Sequence, residues 1–521
     1  MSQVNGRTVQ IKHPVLALLF SFLAGCSLVF AFAPFSYWPA AFIAVIIWLY
    51  QINNNTVKQA VKHGFSFGFG YFTAGISWVH VSIEQFGGLP LIVSLALMLM
   101  LCAYLALFPA LAAYLSAKLS ATKRLNLYYL PFIWLFTEYL RSVLLTGFPW
   151  LSLGYSQIDS PLAALAPIGG ETTISFVIML TCVTVFQLSN KVQVTTNAVV
   201  IALVLCTILI SNNLNFIETT GKSFKTALVQ GNIKQELRWD EVAEENIIDS
   251  YINSTEALYA SNDVVIWPEA AIPRIEPLSQ EYLRYLDLQA SNHQSSLITG
   301  IVNYDPATRK FFNRLVVLGN EQAQDTQGNY YYGNANHYNK HHLLPIGEFV
   351  PFSELLRPIA PLFNLPMSSF SRGDYVQHNI TANGLNFAPL ICFEIAFPQQ
   401  LAANIKAHTD AILTVSNDAW FGASHGPDQH LEIARMRALE FGKPMLRSTN
   451  NGLTAVIDHH GKITADIPQF SKAILQTEVA LVTGTTPYTV WGRYLDKLLM
   501  LLFALFWLVT RYAIKSSKLN K

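Results

Sequence analysis

The sequence predicts an α-helical bundle of about eight membrane spans joined to one external α/β domain. Three observations carry this. Charged residues make up only 13% of the 521, against 52% hydrophobic, where soluble domains carry about 25% charged residues. The charge is also confined: residues 14–212 are almost wholly apolar, 222–487 read like a soluble domain, and 496–514 turn apolar again. Within the polar stretch, short β-rich runs alternate with amphipathic helical ones, the pattern of an α/β layer structure. The expected division is a membrane domain over 1–213, a soluble domain over 222–487, and a last span with its tail over 488–521.

A bilayer core needs about 20 apolar residues per helix. Candidate spans lie near 14–35, 37–51, 64–84, 89–117, 127–145, 170–189, 195–212 and 496–514. The first is too long for a signal peptide, and a second span follows closely. Lys and Arg mark the cytoplasmic loops. Arg7 and Lys12, Lys58 and Lys62, Lys118, Lys123 and Arg124, Lys191, and the tail residues Arg511, Lys515, Lys518 and Lys521 fall on one side. The alternate loops near 33–37, 84–90 and 146–169 hold neither residue type. Both termini are therefore expected in the cytoplasm and the polar domain outside, although Arg493 and Lys497 run against the rule. Glu138 and Arg141 lie three residues apart on the fifth span, where mutual neutralisation is the simplest expectation. The aromatic Gly147-Phe148-Pro149-Trp150 stretch after them suits a membrane interface.

In the polar domain, strands are expected at 225–230, 263–267, 295–302, 314–319, 386–392, 411–416, 444–449, 453–458 and 474–481. Helices are expected at 240–260, 279–292, 398–408 and 428–442; the last places Leu431, Ala434, Met436 and Leu439 near one face, with its charges elsewhere. The stretch 345–373, rich in Pro, Phe and Leu, is expected to be a mobile loop.

A net charge of +1 offers no basic surface for nucleic acid. Four of the five cysteines (Cys26, Cys102, Cys182, Cys206) sit in apolar runs and read as packing residues. Cys392 ends the apolar strand Pro389-Leu390-Ile391 and has no nearby cysteine partner. Glu269 follows another strand in Trp267-Pro268-Glu269, and Lys340 follows Tyr338-Asn339. In α/β domains chemistry gathers at such strand ends. A carboxylate can take the proton of a thiol, and an ammonium can stabilise both the thiolate and a tetrahedral oxyanion, so these residue types suffice for acyl transfer. The adjacent histidines at 341–342 and 459–460 have no ligand cluster around them and suggest no metal site.

Together these motifs resemble the nitrilase, or carbon–nitrogen hydrolase, superfamily, which uses Glu, Lys and Cys on an αββα sandwich. The matching pieces are Trp267-Pro268-Glu269, then Asn339-Lys340-His341 leading to Pro345-Ile346-Gly347-Glu348, then Ile391-Cys392-Phe393-Glu394. A narrower set is similar to the apolipoprotein N-acyltransferase family: Val229-Gln230-Gly231-Asn232-Ile233 with Trp239 after it, Gly347-Glu348-Phe349-Val350-Pro351, Ser416-Asn417-Asp418-Ala419-Trp420-Phe421-Gly422 and Arg447-Ser448-Thr449-Asn450-Asn451-Gly452. Seven spans, an external domain and one further span are also that family's layout. Members often carry Tyr after the nucleophile, where this chain has Phe393.

The resemblance implies a bacterial inner-membrane enzyme with its catalytic domain on the periplasmic side. It would move an acyl chain from a phospholipid, through a thioester on Cys392, to the N-terminal amine of a diacylated apolipoprotein, with ping-pong kinetics. Glu269 would be the base and Lys340 the oxyanion support, with Glu348 and Glu394 behind them. Trp239, Phe393 and Trp420 are candidate substrate contacts, with aromatic packing the alternative. Asn313 and Asn417 read equally well as turn or backbone-bonding residues. No metal or organic cofactor is called for, and a monomer is expected. Two other readings stay open on the residues: a membrane-anchored amidohydrolase, since both reactions pass through an acyl-enzyme, and a non-catalytic transporter or sensor.

Overall fold

The computed structural model describes residues 14–53, 55–85, 87–119, 127–237, 241–345, 347–349 and 370–519. Trp239 and most of the expected mobile loop 345–373 lie outside the described residues. The chain divides into two compact units. The first comprises the chain up to His80, Leu91–Leu214 and Tyr494 onward; the second comprises Val81–Pro90 and Asn215–Arg493.

The first unit is helical: α1 (Pro14–Ser27), α2 (Pro39–Ile52), α3 (Val57–Gly75), α4 (Val79–Gln85, which runs into the second unit), α5 (Leu91–Leu119), α6 (Leu130–Val143), α7 (Ala166–Ser189) and α8 (Val194–Ser211). Among the described residues, four stretches are long and apolar enough to cross a membrane: Pro14–Ala31, Leu91–Leu119, Pro161–Ser189 and Val194–Ser211. The expected span 64–84 is not one helix, because α3 ends at Gly75 and α4 begins at Val79. The expected span 127–145 reduces to the 14 residues of α6. Glu138 and Arg141 do form an ion pair there at 3.8 Å. Arg141 also donates to the Phe148 and Trp150 carbonyls, at 2.7 and 2.5 Å, and Glu138 accepts the Leu153 amide at 3.1 Å. The pair thus fastens the backbone of 148–153 to α6, and Trp150 in that stretch is buried.

The second unit is built on two sheets. One runs β13-β1-β2-β4-β5-β6, with β3 beside β4; the other runs β12-β11-β10-β9-β8-β7. In chain order these are β1 (Ile217–Gln230), β2 (Val264–Ile266), β3 (Ile272–Ile275), β4 (Ser296–Asp305), β5 (Lys310–Gly319), β6 (His337–Asn339), β7 (Ile380–Ala382), β8 (Leu385–Ile391), β9 (Ala411–Ser416), β10 (Met445–Thr449), β11 (Thr454–Ile457), β12 (Ile463–Ile467) and β13 (Ala473–Gly484). Strands β1, β2 and β4 are parallel at the centre of the first sheet, and β8, β9 and β10 at the centre of the second. Their inner faces share one core, in which Leu228, Ile266, Ile298 and Leu315 meet Phe387, Ile391, Leu413 and Leu446. Helices α9 (Glu241–Thr255) and α10 (Gln280–Asn292) cover the outer face of the first sheet through Tyr251, Trp267, Leu283 and Leu297. Helices α11 (Pro398–Asn404) and α12 (Gly426–Phe441) pack with the second sheet. The layering is that of an αββα sandwich.

Two expectations are corrected here. Helix 398–408 ends at Asn404, since Ile405 is extended. Helix α12 does bury Leu431, Ala434, Met436 and Leu439, but most of its polar residues are buried too: Gln429, His430, Glu432, Arg437 and Glu440 are inaccessible, and Asp428 and Arg435 are only partly exposed. Buried charge needs a partner. Arg437 finds Glu440 at 3.0 Å, and His430 faces into the protein toward the end of β8.

Candidate active site

Glu269 leaves β2 through a tight turn. Trp267 is fully buried and fastened at both ends, its amide donating to Ile298 O (2.9 Å) and its indole nitrogen to Thr255 Oγ1 (3.0 Å). Ala270 then takes a left-handed φ of 43°. Gly300 of β4 makes room for this turn, since a Cβ there would lie 2.8 Å from the Glu269 Cα. The turn aims the carboxylate inward. Its Oε2 accepts the backbone amide of Asn417 at 2.8 Å and its Oε1 accepts Asn313 Nδ2 at 2.7 Å.

Lys340 follows the three-residue strand β6 and is buried. Its amide donates to Asn313 O at 2.8 Å, which continues the ladder with β5. Its ammonium lies 2.9 Å from both oxygens of Glu348 and 3.6 Å from Glu269 Oε1. Burial works against the charged ammonium, but the Glu348 and Glu269 carboxylates beside it outweigh that and hold the Lys340 pKa above its ordinary value. Glu348 also accepts the Leu344 amide at 2.8 Å and Asn313 Nδ2 at 2.9 Å.

Cys392 ends β8 with a φ of 53° and begins a 3-10 turn, Cys392–Ala396. For a non-glycine residue that conformation costs on the order of 1–3 kcal/mol and persists only where surroundings enforce it. It lifts the side chain out of the strand direction, as a sharp strand-to-helix turn does for a nucleophile. The residue is partly exposed, with protein crowding its remaining sides. Burial, then the Glu269 carboxylate, push the thiol pKa up to about 12, against the pull of Lys340 and Ser416. The resting group is therefore a neutral thiol.

Glu394 is fully buried and accepts five donors: Tyr338 Oη (2.9 Å), the amides of His341 (2.8 Å), His342 (3.0 Å) and Ile391 (2.8 Å), and Gln400 Nε2 (2.7 Å). Burial raises its pKa. It joins the chain just after Lys340 to the chain just before Cys392.

The structure thus gathers Glu269, Lys340, Cys392 and Glu348 into one cluster, with Glu394 clamping two of the segments behind it. Of the aromatic candidates, the two that are described, Phe393 and Trp420, make other contacts. Phe393 is buried against Phe397 and His342, at ring distances of 5.1 and 5.9 Å. Trp420 is partly exposed on the turn Asp418–Phe421, where its carbonyl accepts Ser82 Oγ at 2.5 Å. Asn313, read from sequence as a turn or backbone-bonding residue, proves to bridge two carboxylates from a strand interior. Ser416, Asp418 and Arg447 stood in the family motifs without an assigned role, and His430 went unremarked in sequence. The signal was polar or charged residues inside otherwise apolar strands and helices. Among the described residues, no group of three or more His, Cys, Asp or Glu is placed to hold a metal ion.

Residues 225–486 match the carbon–nitrogen hydrolase family, which defines the class of the second unit. Residues 24–184 match the apolipoprotein N-acyltransferase N-terminal domain. The apolipoprotein N-acyltransferase of Shewanella oneidensis is 45% identical over 92% of this chain and 92% of its own length. That of Vibrio parahaemolyticus is 44% identical over 93% of this chain and 94% of its own. A solved carbon–nitrogen hydrolase from Helicobacter pylori aligns with 52% of this chain and 92% of its own, at 14% identity and a TM-score of 0.37. The chain belongs to the apolipoprotein N-acyltransferase family.

Proposed function

We propose that this membrane protein N-acylates lipoproteins. It takes the acyl chain from a phospholipid, holds it as a thioester on Cys392, and passes it to the free amine of a diacylglyceryl-modified N-terminal cysteine. The observation that carries this reading is the Lys340 ammonium set between the Glu348 and Glu269 carboxylates, within electrostatic reach of the Cys392 thiol.

In the first half-reaction Glu269 takes the thiol proton as sulfur attacks the ester carbonyl. The Lys340 ammonium faces the developing oxyanion. The carbon–oxygen ester bond breaks, and the lysophospholipid alkoxide leaves with the proton that Glu269 returns. In the second, the acceptor amine attacks the thioester carbonyl and Glu269 takes the amine proton. The carbon–sulfur bond then breaks, and sulfur is reprotonated to the resting thiol. A raised thiol pKa suits this scheme, since deprotonation is coupled to attack. Both substrates are lipids, and lifting an acyl chain into water costs about 0.8 kcal/mol per CH₂, which gives the apolar helices a chemical purpose. The Lys and Arg pattern supports both termini in the cytoplasm and the catalytic unit on the periplasmic side of the inner membrane.

The test is incubation of purified protein with a phospholipid carrying a labelled acyl chain, followed by mass spectrometry. The expected result is a hydroxylamine-sensitive label on Cys392 that a diacylated lipopeptide with a free amine discharges. Discharge by water alone would make the protein a hydrolase. Absence of label on folded protein would remove Cys392 from the reaction.

A further inference from the structure

Behind Cys392 lies a buried polar cluster that the acyl-transfer scheme does not use. Asp418, Arg447 and His430 are each almost inaccessible to solvent. Arg447 Nη2 donates to Asp418 Oδ2 at 2.6 Å, and Ser416 Oγ donates to Asp418 Oδ1 at 2.6 Å. The same Arg447 Nη2 lies 3.0 Å from His430 Nδ1. At the far edge of the ring, His430 Nε2 lies 3.2 Å from the carbonyl oxygen of Cys392.

These contacts fix the tautomer. A carbonyl oxygen only accepts, so Nε2 must carry the proton; a guanidinium only donates, so Nδ1 must carry the lone pair. Asp418 Oδ1 stands 3.2 Å from Nδ1, but in this tautomer it is neutralised by Arg447 rather than bonded to the ring. Burial and then the Arg447 charge hold the His430 pKa below its ordinary value, outweighing Asp418 and the Cys392 carbonyl, which act the other way, and this favours the neutral ring. Gly452 belongs to the same device: a Cβ there would collide with the Asp418 carboxylate.

We propose that His430 is a positioning residue for the nucleophile. Its Nε2–H, oriented by Arg447 and Asp418, pins the Cys392 carbonyl and so holds the left-handed backbone that presents the thiol. The carbonyl of a residue in a strained conformation needs a fixed partner, and Cys392 has one on α12 rather than in its own sheet. This rests on Cys392 being the acylated residue.

The experiment compares His430→Gln, whose amide NH₂ extends to the Nε2 position, with His430→Asn, whose amide reaches only the Nδ1 position. Acylation of Cys392 by the labelled phospholipid is timed for each and for the unaltered protein, with thermal unfolding measured alongside. The expected result is near-normal acylation in His430→Gln and a loss of about 100-fold in His430→Asn, the scale of a nucleophile misplaced by about 1 Å. Equal rates in the two variants, whether both normal or both impaired, would overturn the proposal. Failure of the unaltered protein to acylate would instead overturn the function itself. Because a variant can fail to fold, a second measurement uses the unaltered protein with ¹⁵N-histidine and ¹³C-carbonyl cysteine. Solid-state NMR should find one protonated Nε2 dipolar-coupled to a cysteine carbonyl, with Nδ1 bare. A protonated Nδ1 on that ring, or no such coupling, would also overturn it.

Discussion

Asn313 donates from its Nδ2 atom to Glu269 Oε1 at 2.7 Å, and the same nitrogen reaches Glu348 Oε1 at 2.9 Å. Its orientation is not arbitrary: reversed, it would set a carbonyl oxygen against two carboxylates. One neutral amide therefore holds apart the two anions that share the Lys340 ammonium.

Asn313→Ala should slow acylation of Cys392 by about 10- to 100-fold, since a hydrogen bond to a charged group contributes about 1.5–3 kcal/mol. Asn313→Asp should be worse, because it adds a third negative charge around one ammonium. Single-turnover labelling with the phospholipid donor measures both. An Asp variant as active as the unaltered protein would show that the bridge does not matter.

The thiol of Cys392, raised to about 12 by burial and Glu269, gives a pH prediction. Raising an acid's pKa keeps its neutral form, so thiolate rises about tenfold per pH unit until the folded pKa is reached. Alkylation of Cys392 by iodoacetamide, followed on the isolated peptide, should keep rising from pH 7 to pH 10. Glu269→Gln removes one raising charge and should speed alkylation at a given pH, while abolishing acyl transfer. A plateau below pH 8 would mean a preformed thiolate.

Glu394→Gln should cost about 1–3 kcal/mol of stability for each buried donor it leaves without an acceptor. The substituted amide would turn N–H groups toward some of the five donors. Thermal unfolding checks the stability. A variant with unchanged melting and unchanged acylation would show that the clamp between the Lys340 and Cys392 segments is dispensable.

Much of the catalytic unit was legible because its central strands are apolar and bounded by turn residues. The stretch 411–416 coincides with β9, and 295–302 falls within β4. Strands β3, β6, β7 and β12 were missed. They span three to five residues, too short for a periodic signal, and β6 holds His337 and Asn339 in place of β-formers. Strand β1 starts at Ile217, earlier than expected, because its first half pairs with β13 while its side chains face solvent. Glu269, Lys340 and Cys392 stood out as polar residues at strand ends. His430 did not, and Asn313, Asp418 and Arg447 gave no sign of their partners, because each acquires meaning only from a residue far away in the chain. Nor does any local pattern place Val81–Pro90 with the second unit, where Gly422 stands beside Val81 and Gln85.

The pairing of β1 with β13 runs from Ile217↔Gly484 to Gln230↔Ala473, so the first strand of the catalytic unit meets its outer neighbour almost at the end of the chain. During synthesis β1 emerges early and keeps one hydrogen-bonding edge open until β13 is made. Open edges recruit other strands. The nascent domain therefore cannot complete this side of its first sheet until residues 473–484 have been made.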